Sequence, residues 1–91
     1  ANPLAQTMKG NVEFYSPMGS KHEALKHYQA ADSLYRAQGA SPRLWNVRAM
    51  QFTLVQCVEK TQSREAALVK CREILAEEPD FYILREMYMK E

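Results

Sequence analysis

Ninety-one residues, 46% of them apolar, make one domain with a small core, and that composition is too apolar for a disordered chain. A net charge of +1 supplies no field to draw the protein to nucleic acid or an anionic membrane, and no apolar run approaches the roughly 18 residues needed to span a bilayer. Two cysteines make no disulfide framework and no signal peptide is visible, so a reduced, intracellular, cytoplasmic protein is expected.

Residues 1–19 differ from the rest. Pro3, Gly10, Pro17 and Gly19 interrupt any long helix, so an irregular N-terminal arm is expected, with at most a turn or two over Leu4 to Lys9. Val12, Phe14 and Tyr15 are large and apolar, which suits an arm that packs on something. Met18-Gly19-Ser20 also has the form of a cloning junction, which would make residues 1–17 a tag or a tethered peptide.

A helical domain is expected over 20–91. Its first helix, about 21–38, carries its own start and stop. Ser20 and Glu23 have capping-box spacing, and Gly39 can take the left-handed conformation that ends a helix. Ala24, Tyr28, Ala31 and Tyr35 share one face, widened by Leu25 and Leu34. Small and large residues alternate on that face, as on a surface that grips a partner helix.

Ser41 and Pro42 predict the start of a second helix, about 42–60. It is apolar over so wide an arc, Trp45 included, that a central, sandwiched position is expected. A third helix, about 64–77, follows a Ser63 or Thr61 cap. It has a stripe of Ala67, Leu68, Cys71, Ile74 and Leu75 and ends before Pro79. Asp80 is the expected cap of a last helix, about 81–90, burying Phe81, Leu84, Met87 and Tyr88. Short connections predict antiparallel neighbours.

Two segments resemble each other. Ala24, Tyr28 and Ala31 correspond to Ala67, Cys71 and Ile74 at an offset of 43 residues, and Pro79 falls twelve after Ala67. With Trp45, Ala49 and Phe52 in the helix between, the pattern resembles the tetratricopeptide repeat, over about one and a half divergent repeats. It departs from the family in its spacing, which exceeds the usual 34 residues, and in Cys71 and Ile74 standing for an aromatic and an alanine. The resemblance implies an all-α fold of three to four antiparallel helices in stacked hairpins. It also implies a groove lined by the first helix of each pair, where Arg43, Asn46, Met50 and Thr53 line up; the same residues read equally as a solvated strip. A chaperone-tail clamp is not supported, since it needs more lysine and asparagine.

Chemistry finds little purchase. His22 and His27 are five apart and do not share a face, His27 pairing better with Glu23, so no metal set converges and no cofactor is expected. Cys57 and Cys71 fall on apolar stripes, where cysteine is usually a small core residue. Glu77, Glu78 and Asp80 sit in a turn without a pocket. The chain is therefore expected to be no enzyme but a protein–protein interaction module, an adaptor that holds a peptide or helix in an apolar groove between the first two predicted helices. The docking residues would be Tyr28, Tyr35, Arg43, Asn46, Met50 and Thr53, with Tyr82, Ile83 and Tyr88 of the last helix as another docking face. The alternative is a small structural subunit or homodimer that buries its helix face permanently. A nucleic-acid binder is disfavoured by the charge.

Overall fold

The computed structural model describes residues 2–90; Ala1 and Glu91, the outer ends of the two expected segments, lie outside them. Helices run over α1 Pro3–Tyr15, α2 Lys21–Ala37, α3 Trp45–Thr61, α4 Arg64–Glu77 and the short α5 Tyr82–Leu84, which widens into a π turn over Arg85–Met89. There is no strand among the described residues, and the fold is all-α as expected.

The expected irregular arm is largely a helix. Asn2 caps α1, its Oδ1 accepting from the amides of Leu4 (2.9 Å) and Ala5 (3.4 Å). Pro3 occupies the first helical position, where its fixed φ suits the helix and its missing N–H costs nothing. Gly10 stands mid-helix at a cost of about 1 kcal/mol relative to alanine. The reason lies in α2: a Cβ on Gly10 would fall 2.8 Å from the Tyr28 ring. The glycine lets α1 approach until Tyr28 donates from its hydroxyl to Asn11 Oδ1 at 2.6 Å and meets the Phe14 ring edge-on, 6.2 Å between centroids.

The first half of the capping box at α2 forms, with the Glu23 amide donating to Ser20 Oγ at 3.2 Å. The reciprocal half does not. The Ser20 amide donates instead to Glu13 Oε1 on α1 at 2.8 Å, and Glu23 pairs with Lys26. A tertiary partner has replaced the local one, which ties the α1–α2 corner. At the other end Gly39 has φ +68°, and the amides of Ala40 and Gly39 donate to the carbonyls of Tyr35 and Arg36. That is the Schellman closure expected of a glycine there.

Polar contacts fix the helix directions. Gln6 lies against His27 while the Lys21 amine donates to the Phe14 carbonyl, so α1 and α2 are antiparallel. Cys57 near the end of α3 donates to the Lys21 carbonyl at the start of α2, and Arg48 near the start of α3 pairs with Glu78 at the end of α4. The Tyr88 hydroxyl donates to Glu59 Oε1 at 3.0 Å, which brings the π turn back along α3. Hence α1, α3 and α5 run one way and α2 and α4 the other. Tyr28, Met50, Leu54, Ile74 and Leu84 are fully buried between them.

Two expected boundaries and one face move. Residues 41–44 form a turn, the Leu44 amide donating to the Ser41 carbonyl, so α3 starts at Trp45 without a side-chain cap. Asp80 does not cap the last helix, because its carboxylate is taken by Arg43 and Arg48. Phe81, Leu84 and Tyr88 are buried as expected, but Met87 is exposed. A π turn holds more residues than an α turn, so the fourth residue after Leu84 stays on its face while the third swings out.

Candidate binding surface

The six residues expected to dock a partner are split by the fold. Tyr28 and Met50 are wholly inaccessible, and Tyr35 and Thr53 are buried. The tyrosine face of α2 is therefore largely covered by α1 and α3, and what stays open between α2 and α3 is a hollow of about 280 Å³ lined by Asp32, Tyr35, Val47 and Gln51. The Thr53 hydroxyl donates to the Ala49 carbonyl one turn back. Only Arg43 and Asn46 reach the surface, and the Arg43 guanidinium is held by Asp80 at 2.9 Å. The shared face fails because α3 is covered on the side that carries Met50 and Thr53. Of the residues expected to dock through the last helix, Tyr82 and Ile83 are exposed and Tyr88 is not.

The open apolar surface lies elsewhere. A groove of about 440 Å³ runs between the start of α3 and α5, lined by Trp45, Ala49, Phe52, Phe81, Tyr82 and Ile83 with Arg48 and Asp80 at its polar edge. Trp45, expected in the core, is 79% exposed on its rim. The reason is positional. Trp45 is the first residue of α3, so no preceding turn covers it, and the neighbouring α5 is too short to close over it.

The charges at that edge are already matched. Arg48 donates to Glu78 and to Asp80, the latter at 2.9 Å, and its guanidinium lies 5.2 Å from the centre of the Phe81 ring. Glu78 is buried, so Arg48 is the cation that makes its burial tolerable. Hydrogen bonds from Arg48 first, and the nearby guanidiniums with them, hold the Asp80 carboxyl below its ordinary range. At the far side of the corner Arg36 donates to both oxygens of Glu77 at 2.9 Å, which lowers the Glu77 pKa in the same way. The groove thus presents apolar area whose polar border needs no further partner. A second hollow of about 590 Å³ lies between α2 and α4, polar at its edges, with Asp32 and Lys70 paired across it at 3.8 Å.

Another exposed apolar surface is α1. Leu4, Met8, Val12 and Tyr15 form one stripe on the side away from α2. The residues were visible in the sequence; their alignment was not, because the segment was expected to be irregular.

His27 is engaged with Gln6 at 2.9 Å and the expected His27–Glu23 pair does not form. Among the described residues no group of three histidines, cysteines or acids is placed to hold a metal ion, and no helix is long and apolar enough to cross a membrane. Both cysteines are free and buried. Burial pushes the Cys57 thiol up to about 11, against the lesser pull of Lys21, and pushes Cys71 up as well.

That shift has a stability consequence. An unfolded thiol ionises near pH ~8.5, so the protonated Cys57 contributes stability that is complete below that pH and lost as pH rises towards about 11. Tyr88, raised to about 12 by burial and by its bond to Glu59, extends the loss upward. Melting temperature is expected to be level from pH 7 to 8 and to fall through pH 10. Cys57→Ala should flatten part of the fall; a level profile to pH 10.5 would mean that the thiols are open to solvent.

No family model matches the chain, and neither a curated protein nor a solved structure matches it.

Proposed function

We propose that this chain is a non-enzymatic protein-interaction module whose docking surface is the groove between α3 and α5, and that the groove takes the apolar face of a helix. The observation that carries the reading is the exposed Trp45 on the rim of an apolar groove. Tryptophan, tyrosine and arginine are the residues that dominate interface energetics, and all three stand here within one corner of the fold. The matched Arg48–Glu78–Asp80 border supports an apolar occupant, since a charged one would have to displace an existing ion pair.

The tetratricopeptide-like reading is retained as an account of the architecture. Helices alternate in direction, a small residue on α1 meets an aromatic on α2, Ala67, Cys71 and Ile74 are buried together on α4, and Pro79 follows. Trp45 departs from that account by facing the groove. A non-catalytic role draws further support from the buried, protonated thiols and the engaged histidine. The reading includes an intracellular, cytoplasmic setting, which two free cysteines support because thiols persist where they are kept reduced.

Trp45→Ala separates docking from folding. With the indole outside the core, the variant is expected to lose less than about 1 kcal/mol in urea unfolding. A displayed library of helical peptides, panned against the wild type and against Ile83→Asp, is expected to enrich amphipathic sequences on the wild type only. Selected peptides should shift the Trp45 emission to the blue. Equal enrichment on both proteins would overturn the groove as the docking surface, and a loss of 3 kcal/mol or more from Trp45→Ala would return the indole to the core.

A further inference from the structure

The chain carries a helix face that suits its own groove. The α1 stripe of Leu4, Met8, Val12 and Tyr15 is a convex apolar ridge, exposed along about 16 Å of helix. The groove of Trp45, Tyr82 and Ile83 is concave and apolar. The two lie at opposite ends of the helix order. α1 packs on α2 and touches α3, whereas the π turn that continues α5 packs with α4 at the other end, so a chain cannot fill its own groove with its own α1. We infer that the occupant of the groove is the α1 helix of a second copy of this chain, joining copies head to tail. The inference rests on the groove being the docking surface, and it names what docks.

Area, shape and charge favour this occupant. The seven side chains just named are between 44% and 79% exposed. Taking about 200 Å² for a large side chain, they offer on the order of 1,000 Å² between them. With the rim that a helix contact adds, that reaches the lower end of stable interfaces, about 1,200 Å². A ridge in a groove covers both apolar surfaces at once. A two-fold pairing of α1 with α1 would leave the groove and Trp45 open. It would also set the two copies' Lys9 on the same side of the seam, because Lys9 lies near the middle of the stripe and beside it. The head-to-tail contact does not set the two copies' Lys9 against each other. Because the two surfaces differ, the contact is heterologous and does not close at two copies unless the rotation happens to return.

Blocking one end at a time tests this. Met8→Asp spoils the ridge and keeps the groove; Ile83→Asp spoils the groove and keeps the ridge. Both sites are exposed, so both variants are expected to melt like the wild type. Val12→Asp with Tyr82→Asp makes an independent pair should either fail to fold. By light scattering on the full chain over a hundredfold concentration range, the wild-type mass is expected to climb past two copies. Each variant alone should stay monomeric. An equimolar mixture of the two should form a dimer and no more, since one free ridge meets one free groove, and Trp45 emission should shift on mixing. Three outcomes would overturn the inference: a wild type that stays monomeric throughout, a dimer that is lost in Met8→Asp but kept in Ile83→Asp, or a mixture that does not associate. A monomeric wild type that still enriches helical peptides through Ile83 removes self-docking and leaves the groove reading standing. Loss of both removes both.

Discussion

Tyr28→Ala is expected to lower the unfolding free energy by about 3–5 kcal/mol. The ring is inaccessible to solvent, fills the crossing of α1 and α2, and ends in a hydrogen bond to Asn11 that alanine would leave without a donor. Gly10 is the other half of the same contact. Gly10→Ala puts a methyl group 2.8 Å from the ring and is expected to cost about 1–3 kcal/mol, although alanine is the better helix former. In a Tyr28→Leu background the clash is relieved, and Gly10→Ala should become neutral or stabilising. Urea unfolding of the four proteins closes a double-mutant cycle. Additive costs would show that the glycine is present for some reason other than the ring.

Arg48→Met is expected to cost about 3 kcal/mol, near the lower end for breaking a buried ion pair because Arg48 keeps a quarter of its surface in water. The penalty falls on Glu78, left buried beside α3 without its cation. Adding Glu78→Gln removes the stranded charge and is expected to restore most of the loss, whereas Glu78→Gln in the wild type should cost more than in that background. Arg48 also lies over Phe81 and holds Asp80, so its loss loosens the corner from which Tyr82 and Ile83 project. Peptide capture by Arg48→Met should weaken even under conditions where the variant is fully folded. A variant as stable as the wild type would mean that Glu78 reaches water.

The helical class and three of the helices were legible from local signals. Ser20 with Gly39 bounds α2 to within a residue, and Ser63 with Pro79 bounds α4, because caps act on amides and carbonyls within a few residues of themselves. The signal for α1 was equally local. Asn2 followed by Pro3 is a helix start, but Gly10 read as an interruption. A mid-helix glycine is worth its cost only when something must come close, and that something, Tyr28, lies eighteen residues away.

The candidate site was harder to read, and particular residues show why. Tyr28 and Tyr35 sit on a helix face that a sequence presents identically whether another helix covers it or not. Trp45 has the composition of a core residue, but its place at the first turn of α3 and the brevity of α5 leave it exposed. The border of the groove joins Arg48 to Glu78 and Asp80 across 30 and 32 residues, beyond any helical spacing.

The sequence by itself determined what depends on neighbours along the chain: the helical class, the caps that bound α2 and α4, the apolar faces of those helices, and the absence of a net charge that would select a polyanion. The tertiary structure alone decided which apolar faces stay open. That choice turns on how closely α1 can approach α2, on which helix is long enough to cover its neighbour, and on ion pairs between distant residues. α1, α3, α4 and α5 each carry large apolar residues that the core of so short a chain leaves exposed. The surplus, the α1 ridge and the Trp45 groove, is set by packing geometry rather than by composition.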